Sequence, residues 1–257
     1  MNPLTRCAVV VCAVLVPVVA FADQDSVDGF LARTYTGAAG ATMPYRLFVP
    51  AASARARALP LIVYLHGSGG AGTDNLRQIS GGNTAGTHVW ITAEMQARHP
   101  AFVVAPQIPG GTAWAAPSSD EPAPYAKLVL DLLAALSKEF AIDPDRIYIT
   151  GQSLGGRGAW DLVSKRPNFF AGAIPVCGDG NAARIKAARD VAIWAFHGAK
   201  DPVVPVAGSR DLVAALKSAG SRVKYTEYPD VEHDAWVRAF AERELPDWLF
   251  AQRRNRR

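Results

Sequence analysis

Seven short apolar runs recur along this chain, at Tyr45 to Val49, Leu61 to Leu65, Phe102 to Ala105, Ile147 to Thr150, Ala171 to Val176, Ala192 to Phe196 and Val223 to Tyr228. They are rich in β-branched and aromatic side chains, as buried strands are. Between them Tyr125 to Phe140, Gly156 to Lys165, Val206 to Ala219 and Trp236 to Gln252 place apolar residues at helical period. Such alternation predicts an α/β fold, a mostly parallel central sheet with helices on both faces. Ligands of such sheets sit beyond the carboxyl ends of the strands. There Leu65 runs into His66-Gly67-Ser68-Gly69-Gly70, Ala105 into Pro106-Gln107, and Phe196 into His197-Gly198-Ala199-Lys200-Asp201.

A fourth strand end is sharper. Arg146 to Thr150 passes directly into Gly151-Gln152-Ser153-Leu154-Gly155 and then into a helical segment, with no ordinary loop. A G-x-S-x-G turn in that setting holds its serine in a strained bend, with the hydroxyl exposed and the next backbone N–H at a helix start. A serine hydroxyl attacks only if a base removes its proton, and the base needs a carboxylate to orient it. On this scaffold the chain order is serine, acid, histidine. Asp201 follows Ser153 at a strand end, and His233 follows in the loop "PDVEHDAW" after the last strand. Asp179 is a rival acid, and Asp230, Glu232 and Asp234 crowd His233 in sequence; His197 precedes Asp201 and reads as packing. The two N–H donors for an oxyanion are expected from Leu154 and, in the glycine-rich loop after Leu65, from Ser68. Trp114 and Trp236 are expected to wall a binding cleft, with Gln107 as a polar substrate contact. Cys177, ending an apolar strand, reads as buried and inert. No residue spacing suggests a metal site, and no cofactor is called for.

The first 22 residues read as a secretory signal: Arg6, an apolar run from Cys7 to Phe21, and Ala20-Phe21-Ala22 before the polar Asp23. The expectation is a secreted or periplasmic product, residues 23–257, as one catalytic domain without stable membrane insertion. Only Cys177 then remains, so stability comes from a core rather than from disulfides. The chain's net charge of +4 is matched by the four arginines at 253, 254, 256 and 257, which read as a solvated end and not as a nucleic-acid footprint. Oligomeric state is not readable.

"LPLIVYLHGSGGAGTDNLRQI", "FVVAPQIP", "DRIYITGQSLGGRGAWDL", "FFAGAIPVCG", "WAFHGAKDPVVPV" and "YTEYPDVEHDAW" together resemble the α/β-hydrolase superfamily, over about Tyr45 to Gln252. More narrowly they are similar to secreted carboxylesterases close to feruloyl esterases and dienelactone-hydrolase-like proteins. The resemblance implies Ser153 as nucleophile, Asp201 as acid, His233 as base and oxyanion donors at Ser68 and Leu154. It implies no cofactor, no large lid domain and small-molecule or polysaccharide-linked ester substrates, probed through short-chain acyl or feruloyl-type esters. The chain departs at Glu232, where such proteins commonly carry glycine, which puts the loop's geometry in question. With no lid insertion, Gly110 to Pro124 is the expected cover of the cleft. The alternatives are a serine peptidase of the prolyl-oligopeptidase kind and a non-catalytic carbohydrate- or polymer-binding protein on the same scaffold.

Overall fold

A computed structural model describes residues 25–54 and 58–254. The signal-like segment Met1 to Ala22 and the arginines at 256 and 257 lie outside the described residues. Nine strands form one sheet: β1 (Ser26–Val27), β2 (Phe30–Thr36), β3 (Thr42–Phe48), β4 (Leu59–Leu65), β5 (Phe102–Pro106), β6 (Ile142–Gln152), β7 (Gly172–Val176), β8 (Ala192–Gly198) and β9 (Lys224–Tyr228). Their order is β1-β2-β3-β5-β4-β6-β7-β8-β9. From β5 through β4 and β6 to β9 every pairing is parallel; β1, β2 and β3 add an antiparallel edge beside β5. The mostly parallel sheet expected from the sequence is therefore present, with two further strands, β1 and β2, whose half-exposed residues lack a continuous apolar run.

Strand β4 is buried along its whole length because its two faces feed two cores. Two short helices, α1 (Thr84–His88) and α2 (Ala93–Arg98), precede the longer ones in the chain. Leu61, Val63 and Leu65 pack with residues of α3 (Pro124–Glu139), α4 (Leu154–Lys165) and α5 (Ala207–Ser218). Ile62 and Tyr64 pack with Trp90 and with residues of α6 (Trp236–Ala239) and α7 (Leu245–Phe250). Helices cover both faces, as a parallel sheet requires. The single helix expected over Trp236 to Gln252 is a correction: it is broken into α6 and α7. Pro246 occupies the first turn of α7, where its missing N–H costs nothing, but continuing a helix through it would cost a hydrogen bond. The C-terminal arginines are also less free than expected, since Arg254 pairs with Asp145 at 3.1 Å. Among the described residues no helix is long and apolar enough to cross a membrane.

The loop after β4 is held by buried polar groups. Ile108 N donates to His66 Nε2 at 3.1 Å, so that nitrogen is a bare lone pair, and the proton sits on Nδ1, which donates to Gly67 O at 2.7 Å. Trp114 lies fully buried against this ring and donates through Nε1 to His66 O at 3.1 Å. It is thus a core residue and not the cleft wall expected of it. Gly110 to Pro124 is likewise fastened over α4 rather than over the cleft. Ala116 N donates to Asp161 Oδ2 at 3.2 Å, and the buried Lys165 Nζ donates to Ala116 O at 2.8 Å, to Glu121 O at 2.9 Å and to Asp161 Oδ2 at 2.8 Å. Lys165 and Asp161 thus compensate one another's charge in the interior.

Two predictions follow from this packing. A Cβ on Gly155 would stand 1.9 Å from Leu65 O, whereas at Gly69 it meets nothing within 4 Å. Gly155→Ala therefore lowers stability by about 3 kcal/mol or more, read from urea unfolding, while Gly69→Ala leaves the midpoint unchanged. The second concerns pH. Burial lowers the His66 pKa from 6.5 to about 4, only partly opposed by the bond to Gly67. The unfolded chain takes up this proton first, so stability falls as pH drops from about 6.5 through about 4 and this contribution levels off below. His66→Leu flattens that part of the stability-versus-pH curve.

Candidate active site

Four strand ends deliver the site. At the end of β6, Ser153 adopts φ +53° and ψ −116°, a conformation costly for a non-glycine residue. Its neighbours permit it. A Cβ at Gly151 would lie 2.5 Å from Gly155 O, so both glycines are needed for the strand and the helix to meet this closely. Ser153 N donates to Val176 O at 2.8 Å, which fastens the turn to β7.

From β8 comes Asp201 and from the loop after β9 comes His233. Ser153 Oγ lies 2.8 Å from His233 Nε2, and His233 Nδ1 lies 2.7 Å from Asp201 Oδ2. The other carboxylate oxygen, Oδ1, accepts from Val203 N and Val204 N, both at 2.9 Å. Burial pushes the Asp201 carboxyl up, but the bonds from His233, Val204 and Val203 outweigh it and hold the group below its ordinary value. It is an anion in contact with an imidazole. The rival Asp179 is engaged elsewhere, accepting from Arg157 Nη2 at 2.9 Å.

Leu154 opens α4 and Ser68 opens a short 3-10 turn, Ser68–Gly70, so neither backbone N–H has an acceptor within its own helix. Gly67, Ser68, Gly69, Ser153, His233 and Trp236 share one cleft of about 330 Å³. The Trp236 ring stands 5.3 Å from the His233 ring at 89°, an edge-to-face contact. Gln107, expected to touch substrate, does not reach the cleft. It is fully buried, donates through Nε2 to Gly70 O and Asp74 Oδ1, both at 3.0 Å, and accepts from Asn75 N at 2.6 Å. Its polar atoms are spent on holding the glycine-rich loop.

The far wall was not foreseen. Arg77, Ser80, Gly81, Gly82 and Asn83 complete the cleft, and Asn83 ties it together. Gly67 N donates to Asn83 Oδ1 at 3.0 Å, and Gln152 Nε2 donates to Gly82 O at 2.9 Å. The Tyr64 hydroxyl, 2.8 Å from Gln152 Oε1 and 3.0 Å from Asn83 Oδ1, has one hydrogen to give between them. "ISGGN" carries no motif, but a glycine pair before an amide, following a glycine-rich loop, was a signal of a second close-packed turn.

Cys177, Asp201 and His233 bring ligand-type atoms within 4.8 Å of one another. They do not suit a metal. Burial pushes the Cys177 thiol up to about 12, and both His233 nitrogens are already engaged by Ser153 and Asp201. His197, read from the sequence as packing, is fully buried but touches the acid: its Nε2 lies 3.2 Å from Asp201 Oδ2.

Comparison with known proteins agrees with this architecture. The chain is 29% identical over 206 residues to "Putative esterase NocK" of Nocardia uniformis subsp. tsuyamanensis, covering 79% of this chain and 57% of that protein. The crystal structure of a thermostable esterase superposes with TM-score 0.83 at 39% identity, covering 88% of this chain and 64% of that one. The chain thus spans less than two thirds of either relative. The feruloyl esterase module of Clostridium thermocellum, solved with sinapinate, shares the fold at TM-score 0.66 and 16% identity, over 89% of this chain and 90% of that one. Residues 49–248 match the model of the dienelactone hydrolase family, and the chain belongs to that α/β-hydrolase family.

Proposed function

We propose that the protein is a serine carboxylesterase acting through a covalent acyl-enzyme. The observation that carries this reading is the unbroken contact chain Ser153 Oγ, His233, Asp201, at 2.8 and 2.7 Å, opening onto a cleft. The esterase named as a relative supports it. Ser153 Oγ attacks the ester carbonyl carbon as its proton passes to His233 Nε2, and Asp201 stabilises the imidazolium. The carbonyl oxygen, now an oxyanion, accepts from Leu154 N–H and Ser68 N–H. When the tetrahedral adduct collapses, the alcohol leaves with the proton from His233. Water, deprotonated by the same imidazole, then releases the acid and restores Ser153.

The substrate side of the proposal rests on the cleft. Glycines at 67, 69, 81 and 82 keep its floor low, and Trp236 presents an aromatic wall, which suits a short acyl or a feruloyl-type group. Its mouth is not covered by Gly110 to Pro124, which favours access by an ester carried on a larger chain. The signal-like Met1 to Ala22 supports a secreted or periplasmic reading of this activity, with residues 23–257 as its catalytic domain.

Initial rates on p-nitrophenyl esters of increasing chain length and on methyl ferulate test the reading. Activity is expected to fall with chain length and to vanish in Ser153→Ala; hydrolysis retained by that variant, or turnover of peptide amides alone, would overturn it. Asp201→Asn is expected to keep the fold but lower kcat by about three to four orders of magnitude, because the imidazole loses its orienting anion.

A further inference from the structure

The contacts of His197 raise a question of proton placement. Its Nε2 faces two acceptors, Val204 O at 3.0 Å and Asp201 Oδ2 at 3.2 Å. A lone pair there would be repelled by both, so Nε2 carries a hydrogen. On the other side Nδ1 lies 2.8 Å from Ser209 Oγ, which lies 2.8 Å from Gly178 O. The hydroxyl has one hydrogen. Given to Nδ1, it leaves His197 neutral; given to Gly178 O, it requires a second ring proton on His197. Burial lowers the His197 pKa against the opposing pull of Val204 O and Asp201, which favours the neutral ring. In either state the single Nε2 hydrogen lies between Val204 O, the nearer acceptor at 3.0 Å, and Asp201 Oδ2 at 3.2 Å.

We propose that His197 is a positioning residue for Asp201: it holds the carboxylate oxygen that His233 also holds, so that two imidazoles share Oδ2. The proposal rests on the esterase reading for its kinetic consequence only. Asp201 is then gripped from three directions, by His233, by His197 and by the Val203 and Val204 amides on Oδ1. The grip also divides the anion's pull. A hydrogen-bond donor on Oδ2 draws part of the carboxylate's charge away from His233. The titratable groups around His197 are Asp201 in the loop after its own strand β8, His233 after β9, Glu227 opposite it on β9 and Cys177 just after β7.

The test combines a spectrum with kinetics. Low-field proton NMR of the folded protein is expected to show two protected imidazole N–H resonances, one from each histidine on Asp201. His197→Leu removes one and shifts the other, and Asp201→Asn moves both. If the His233 resonance is unmoved in His197→Leu, the sharing of Oδ2 is wrong. With p-nitrophenyl acetate, His197→Leu is expected to lose about ten- to a hundredfold in kcat with little change in KM, as misplacement of an oriented group does. The acidic limb of its kcat/KM profile moves to higher pH. His197→Gln, which keeps a donor in place of Nε2, recovers most of both. Equal losses in the two variants, tracking their thermal midpoints with no change in the pH profile, would reduce His197 to packing. The NMR result stands whether or not the wild type hydrolyses esters, and inactivity of the wild type would sink the esterase reading alone.

Discussion

The turn at Ser153 is the steric constraint on which the site depends. Four backbone segments meet there: the end of β4, the end of β6, the end of β7 and the start of α4. The space between them is too small for a methyl group, since a Cβ at Gly155 would overlap Leu65 O at 1.9 Å and one at Gly156 would approach Val176 O to 2.3 Å. Because the segments touch, the chain has no slack in which to relax Ser153 out of its positive φ. The unfavourable conformation is what puts Oγ at the open end of the sheet, within reach of an imidazole from a different strand end. Loss of close approach at the glycines would therefore be felt as loss of serine geometry.

Around that turn the loops are fixed by buried polar groups whose hydrogen bonds are largely satisfied. His66 uses both ring nitrogens, Gln107 both amide atoms, Asn83 both of its own, and Lys165 reaches three oxygens. Each such group would cost stability if left unpaired in the interior. Each therefore has one acceptable arrangement, and the loop carrying it has one conformation. That is how a chain whose described residues hold a single, unpaired cysteine keeps its strand-end loops in order.

Sheet and site were readable in the sequence to different depths. The inner parallel strands carry apolar runs, β9 mixes polar with aromatic residues, and period and length separate these strands from helices. β1 and β2 were invisible because an edge pair, half exposed, carries no such run. That Ser153, Asp201 and His233 meet could be anticipated, because a glycine-fenced serine and a fixed chain order are signals carried by the sequence itself. Trp114 and Gln107 were misplaced for a shared reason. Both lie near strand ends on the active side of the sheet, and sequence position says nothing of whether a side chain turns outward to a cleft or inward beneath a loop. The same limit hid Asn83 and the contact of His197 with Asp201, which depend on pairings between residues far apart in the chain.

The glutamate before His233 shows how such a pairing resolves a local anomaly. A small residue is expected there if the histidine loop must press against the strand carrying the acid. The loop does press: a Cβ on Gly198 would stand 2.1 Å from Glu232 O and 2.4 Å from Val231 O, and Lys200 N donates to Val231 O at 3.0 Å. The absent side chain, however, is that of Gly198 on β8. Residue 232 contributes its carbonyl to the contact, while its side chain is exposed, so glutamate is accommodated without moving His233 away from Asp201. The close approach of the Asp201 and His233 loops is thus secured from the opposite strand, and the exposed Glu232 side chain is carried beside His233 without disturbing that approach.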